Sequence, residues 1–101
     1  MVKNSVVMIT GAAGRIGSAI AHGVISQGGK VIFVDVNDAG LEKVTAGLDK
    51  ESFFTIVADS GIPDEADRCI TTGTKKFGKI DAAIHSAYPR SAGWGARFEN
   101  I

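Results

Sequence analysis

No apolar run in this sequence approaches the roughly 18 residues that a membrane-spanning helix needs, so no transmembrane segment is read from it. Charge of one sign is equally absent, because 11 basic and 11 acidic residues cancel. A neutral chain without a basic cluster has no electrostatic reason to bind nucleic acid or an anionic membrane, and neither is expected as a partner. A single cysteine, Cys69, excludes an internal disulfide and points to a reducing compartment. That cysteine and the two histidines, His22 and His85, are scattered without metal-ligand spacing, so no metal site is expected. The opening Met1-Val2-Lys3-Asn4 runs into a short apolar stretch and then a glycine-rich turn. Nothing there resembles a small-residue cleavage site, so no signal peptide is read and the cytoplasm is the default location. Internal repeats and low-complexity segments are also missing.

What is present is glycine, 13 residues of it, and a hydrophobic share of 45%. That share is ordinary for a globular chain. The 101 residues allow one domain with a modest core. Strand and helix signals alternate from the start. Val6-Val7-Met8-Ile9 is a continuous apolar run rich in β-branched residues, as in a strand buried on both faces. Ile16, Ile20 and Val24 then recur four apart, a helical stripe closed by Gly28-Gly29. Val31 to Val34 forms a second strand that stops at Asp35. Asp38 is placed to cap a second helix, with Leu41, Val44 and Leu48 on one face. Phe53 to Val57 reads as the third strand. Pro63 suits the first turn of a third helix, with Ala66, Cys69, Ile70 and Phe77 on one side and Gly78 as its stop. Ala82-Ala83-Ile84 is a weaker fourth strand, and the sequence from Pro89 is loop-like.

The order β-α-β-α-β-α-β implies parallel strands joined by right-handed crossovers. The expected fold class is α/β: a Rossmann-type doubly wound parallel sheet with strand order 3-2-1-4. Residues 1–88 would form a nucleotide-binding half-domain, and residues 89–101 a loop or tail.

Gly11, Gly14 and Gly17 lie between the first strand and the first helix. A phosphate can rest on the free N–H groups of a helix start, where the helix dipole also favours an anion. Glycine lets the backbone approach it and tolerates positive φ. Such a turn alone is weak evidence, because glycines between a strand and a helix are often only turn residues. Asp35, at the end of the second strand, strengthens it: a carboxylate there can accept from both ribose hydroxyls of a dinucleotide. The same carboxylate would repel a 2′-phosphate, and Val36 and Asn37 bring no positive charge. NAD is therefore expected over NADP, although Arg15 in the turn is able to reach a phosphate.

These residues resemble the short-chain dehydrogenase/reductase family, and the likeness covers essentially the whole chain. Thr10 with the three glycines is similar to its opening motif. The resemblance implies that Gly11, Gly14 and Ile16 face the pyrophosphate. It also implies that Asp59, with Ser60 beside it, meets the adenine ring. Phe77-Gly78-Lys79-Ile80-Asp81 is similar to the lead into the fourth strand of classical members. His85-Ser86-Ala87-Tyr88 occupies the place of their Asn-Asn-Ala-Gly turn, so His85 and Ala87 would lie at the nicotinamide ribose. The spacing G-x-x-G-x-x-G departs from the usual classical spacing and is similar to extended members, which include sugar-nucleotide epimerases and dehydratases. Ala87-Tyr88-Pro89-Arg90 resembles a subset linked to bacterial flagellin and surface-sugar modification.

Family members are more than twice this long, and their catalytic serine, tyrosine and lysine lie beyond the region covered. Tyr88 is followed four residues later by Ala92, so the chain contains no Tyr-x-x-x-Lys. No catalytic residue is assigned, and the chain alone is expected to be inactive. The longer parent would move a hydride between nicotinamide and a carbonyl or alcohol substrate. One competing reading is a fragment of an extended-type sugar-nucleotide epimerase or dehydratase; the other is a complete, non-catalytic nucleotide-binding or assembly module. In that reading the fourth strand would be an open edge, and self-association into a homo-oligomer is expected. Of the remaining candidates, His22 reads as a helix-surface histidine and Cys69 as a core thiol. Lys75, Lys76 and Lys79 compensate a helix C-terminus. Trp94, Arg90 and Arg97 belong to a substrate loop or a tail.

Overall fold

A computed structural model describes residues 3–86. The elements run β1 (Val6–Thr10), α1 (Arg15–Ser26), β2 (Lys30–Asp35), α2 (Asp38–Thr45), β3 (Phe53–Val57), α3 (Pro63–Phe77) and β4 (Ala82–His85). The four strands form one sheet in the order β3-β2-β1-β4, and every pairing is parallel. Both the element order and the sheet order agree with the sequence reading.

The β1 run is apolar throughout because both faces of its strand are covered. Val6 and Met8 point into one cluster with Ile32, Val34, Ile56, Ala58 and Cys69. Val7 and Ile9 point the other way, to Val31, Phe33, Ala21 and Leu41. Alternate residues of β1 and β2 thus feed two cores, which is the period-2 geometry of a strand between helical layers. The α3 residue Cys69 serves the first core, and Ala21 of α1 and Leu41 of α2 serve the second.

Three local assignments change in the structure. Ile16 is 63% exposed and leaves the α1 stripe, whose buried residues are Gly17 and Ala21. Close approach of α1 to the β1 turn demands small residues there, and this sets the rotation of the helix. Ile70 is 54% exposed and lies off the buried face of α3, where Cys69 and Gly73 are buried instead. The cap of α2 is Asn37, whose side chain accepts from the Gly40 N–H at 2.9 Å; Asp38 is the first helical residue. There it still complements the helix dipole.

Helix α3 begins at Pro63 and closes at Gly78, whose N–H donates to the Thr74 carbonyl at 2.7 Å. Acidic Asp64 and Glu65 occupy its first turn and Lys75 and Lys76 its last, the arrangement the dipole favours. Lys79 does something different from the dipole compensation expected of it, forming an ion pair with Asp81 at 3.0 Å. Asp81 also accepts from the Val6 N–H at 2.8 Å, and so ties the entry of β4 to the entry of β1. That backbone donor, then Lys79, holds the Asp81 carboxyl below its ordinary range. Burial pushes the Cys69 thiol up, against a smaller lowering by Arg68.

Candidate functional site

The strand register brings the carboxyl ends of all four strands to one edge. Thr10 of β1 pairs with Val34 of β2 and with His85 of β4. Asp35 pairs with Val57 at the end of β3. In a doubly wound sheet this edge is where a ligand crevice forms, and here it carries the glycine turn, Asp35, Asp59 and His85.

Gly11 leaves β1 with φ of 71°, in the left-handed region that glycine enters without strain. The chain turns through Ala12 and Ala13 to Gly14, the N-cap of α1. Within the turn, the Ala12 N–H donates to the Val34 carbonyl at 3.1 Å and the Gly14 N–H to the Gly11 carbonyl at 3.1 Å. The first helical bond is Ser18 N–H to the Gly14 carbonyl at 2.9 Å. Between these lie the N–H groups of Arg15, Ile16 and Gly17, which a helix start leaves without an internal acceptor. No side chain caps them, and no acidic residue stands in the first turn of α1. An anion fits this arrangement, supplying the missing acceptors where the helix dipole is positive.

Gly17 explains how the helix start comes so close to the turn. A Cβ at that position would lie 2.5 Å from the Gly11 carbonyl oxygen and 2.6 Å from Ser86 Oγ. The role expected of the third glycine, close packing of helix and strand, is the geometry observed. Arg15 and Ile16 are exposed at the mouth of the turn.

Asp35 is half-buried and already engaged. One carboxylate oxygen accepts from the Ala13 N–H at 3.0 Å and the other from the Asn37 N–H at 3.0 Å. The acid therefore sits against the glycine turn and binds it. Asp59 follows β3, exposed, with Oδ1 accepting from the Gly61 N–H at 2.9 Å. Its own N–H donates to Glu65 at 2.7 Å. Both bonds shape the β3–α3 turn, in which Ser60 lies half-buried. His85, at the end of β4, has no carboxylate partner among the described residues; its Nδ1 meets the Thr10 hydroxyl at 2.5 Å. Ala87, Tyr88 and the Trp94 segment lie outside the described residues. His22 is exposed on α1, its Nε2 facing the Val44 carbonyl at 2.7 Å, which is a surface role as expected. Among the described residues no group of three or more metal-binding side chains occurs, and no helix is long and apolar enough to cross a membrane.

Ser86 is the residue that sequence reasoning passed over. Its hydroxyl donates to the Thr10 carbonyl at 2.6 Å, with the Gly11 carbonyl 3.3 Å away, so it fastens the end of β4 to the glycine turn. Its partners lie 76 and 75 residues away in sequence, and a serine after a strand gives no hint of them.

An open parallel sheet with a glycine turn and a bare helix start at its carboxyl edge defines a doubly wound, Rossmann-type α/β domain. The model of the short chain dehydrogenase family matches residues 5–93, and the chain belongs to that family. It is 28% identical over 98 residues to the post-translational flagellin modification protein A of Campylobacter coli, covering 94% of this chain and 38% of that protein. Among solved structures, a short-chain dehydrogenase/reductase of Brucella melitensis superposes with a TM-score of 0.82 at 33% identity, covering 89% of this chain and 38% of that one. The 3-ketoacyl-(acyl-carrier-protein) reductase of Brucella melitensis complexed with NADH gives a TM-score of 0.77 at 29% identity, covering 82% and 34%. The chain thus spans a little over a third of the length of these relatives.

Proposed function

We propose that this chain is the cofactor-holding portion of a short-chain dehydrogenase, that it binds a nicotinamide dinucleotide, and that NAD is preferred over NADP. The observation that carries this reading is the bare start of α1, with the free N–H groups of Arg15, Ile16 and Gly17, beside the carboxylate of Asp35. The pyrophosphate would rest on those N–H groups. Gly11 and Gly14 leave it room, and the Arg15 guanidinium is a second phosphate contact. Asp35 would accept from the two adenosine-ribose hydroxyls and repel a 2′-phosphate. Asp59 and Ser60 would border the adenine, and His85 and Ala87 the nicotinamide ribose. Residues 1–88 form the cofactor portion in this reading, and residues 89–101 lead toward the substrate side. A related reductase complexed with NADH supports the choice of cofactor class.

A bound nicotinamide supplies hydride transfer to or from a carbonyl or alcohol carbon, and in this reading the longer protein uses it so. The residues assigned here hold and orient the dinucleotide; none is assigned as proton donor, since the sequence contains no Tyr-x-x-x-Lys. Similarity to a flagellin modification protein makes flagellin modification the favoured setting. A reducing cytoplasm suits the buried thiol of Cys69. Self-association is proposed for the chain taken by itself, through the side of β4 that carries no strand among the described residues, where β4 pairs with β1 alone. A single monomeric species in sedimentation at micromolar concentration would remove that part.

Calorimetric titration with NADH and NADPH tests the main reading. NADH is expected to bind and NADPH to bind more weakly. Binding of neither refutes the cofactor site; equal binding of both refutes the discrimination assigned to Asp35.

A further inference from the structure

We propose that Asp35 is a positioning residue for the phosphate-binding turn, in addition to the ribose contact assigned above: its carboxylate holds the turn in shape through the Ala13 N–H. The inference rests on the proposed nucleotide site and deepens it. Of the three turn N–H groups, those of Ala12 and Gly14 are satisfied by the Val34 and Gly11 carbonyls. Only the Ala13 N–H depends on a side chain, at 3.0 Å from Asp35. Its acceptor is ionised, and bonds of that kind are shorter and stronger than neutral ones.

The other carboxylate oxygen accepts from the Asn37 N–H at 3.0 Å, and Asn37 caps α2. A Cβ on Gly40 would lie 3.0 Å from the Ala13 Cβ and closer still to the Asn37 side chain, so the turn and the start of α2 abut. One carboxylate therefore braces both. A carboxylate offers about four acceptor positions. The two N–H groups use two, and the remainder equals the number of ribose hydroxyls. Ribose recognition and turn geometry thus share one side chain. Replacing Asp35 to admit a 2′-phosphate would also release the Ala13 end of the phosphate cradle.

The test separates the two roles with a ligand that has no ribose hydroxyls. ADP and 2′,3′-dideoxy-ADP are titrated into the wild-type chain and into Asp35→Ala. If Asp35 served the ribose alone, the variant would bind dideoxy-ADP as the wild type does, and that result overturns the proposal. The expected result is that Asp35→Ala weakens dideoxy-ADP roughly tenfold, the equivalent of one lost charge-assisted bond. A second measurement needs no variant. Scalar coupling across the hydrogen bond, from the Ala13 amide nitrogen to the Asp35 carboxyl carbon, should be detectable by NMR in the unliganded wild type. Its absence, where backbone couplings of the sheet are seen, overturns the proposal even if Asp35→Ala does not fold. Failure of the wild type to bind ADP at all refutes the nucleotide reading instead, and the coupling then decides the turn-bracing role alone.

Discussion

Substituting alanine at Gly17 and at Gly23 makes one chemical change twice in the same helix, and the structure assigns the two opposite signs. Gly23 has open space where a Cβ would go: among the described residues nothing outside its own stretch of helix backbone lies within 4 Å. Alanine there should gain the helix-propensity difference, about 1 kcal/mol. Gly17→Ala collects the same gain but meets the Gly11 carbonyl oxygen at 2.5 Å, Ser86 Oγ at 2.6 Å and Ala12 Cα at 3.0 Å. Two of these three are backbone atoms and cannot rotate away. Ser86 can, but only by leaving the Thr10 carbonyl it binds at 2.6 Å, a net loss of about 1 kcal/mol. Overpacking against fixed backbone costs about 1–3 kcal/mol. Gly17→Ala should therefore be destabilised by about 1–3 kcal/mol after the propensity gain is counted. Urea titration followed by circular dichroism reads the difference. With a slope of about 1.5 kcal/mol per molar for a chain of this size, the two midpoints should lie about 1–3 M apart, on opposite sides of the wild type. A midpoint for Gly17→Ala as high as that of Gly23→Ala would refute the close packing of α1 on the glycine turn.

Two further outcomes follow from the same structure. The Asp81 carboxyl, held down by the Val6 N–H and by Lys79, should add stability above its unfolded value of about 3.9 and lose it as pH falls through the lower folded value. The urea midpoint of Asp81→Asn should lie below wild type at neutral pH and converge with it in acid; parallel pH profiles would refute the assignment. Cys69 is 1% exposed, and burial pushes its thiol up. The native chain should react with a thiol reagent only as fast as it opens, and fast labelling without denaturant would contradict that packing.

The sheet was legible because its signals are local and redundant. Val6 to Ile9 is apolar at every position, and such a run between turn residues has few uses other than a strand covered on both faces. Pro63 and Gly78 mark the ends of α3 by their own backbone limits. The errors fall where packing chose between neighbours. Ile16 and Gly17 compete for the buried face of α1, and the choice depends on how near the β1 turn comes, which periodicity does not encode. Asn37 and Asp38 are both competent caps, one residue apart, and the actual start of α2 decides between them. Contacts across the site were least legible. Asp35 and Ala13 are 22 residues apart and Ser86 and Thr10 are 76 apart. The sequence suggests that Asp35 and the glycine turn serve one ligand, but not that they bind each other.

Those long-range bonds bear on how the turn would serve as the proposed phosphate cradle. A glycine-rich segment has the most conformational freedom to lose on ordering, so glycine alone makes the approach possible without making it rigid. Here the rigidity comes from the strands on either side. From β2, the Val34 carbonyl takes the Ala12 N–H and the Asp35 carboxylate takes the Ala13 N–H. From the end of β4, Ser86 donates its hydroxyl and its N–H to the Thr10 carbonyl. The N–H groups of Arg15, Ile16 and Gly17, just past this clamp, are left without a side-chain cap among the described residues. In the proposed reading a ligand phosphate would meet donors whose ordering was completed when the sheet formed, which would lower the entropy lost on binding. The order β3-β2-β1-β4 matters for that reason: it places β1, the strand that carries the turn, between the two strands that hold it.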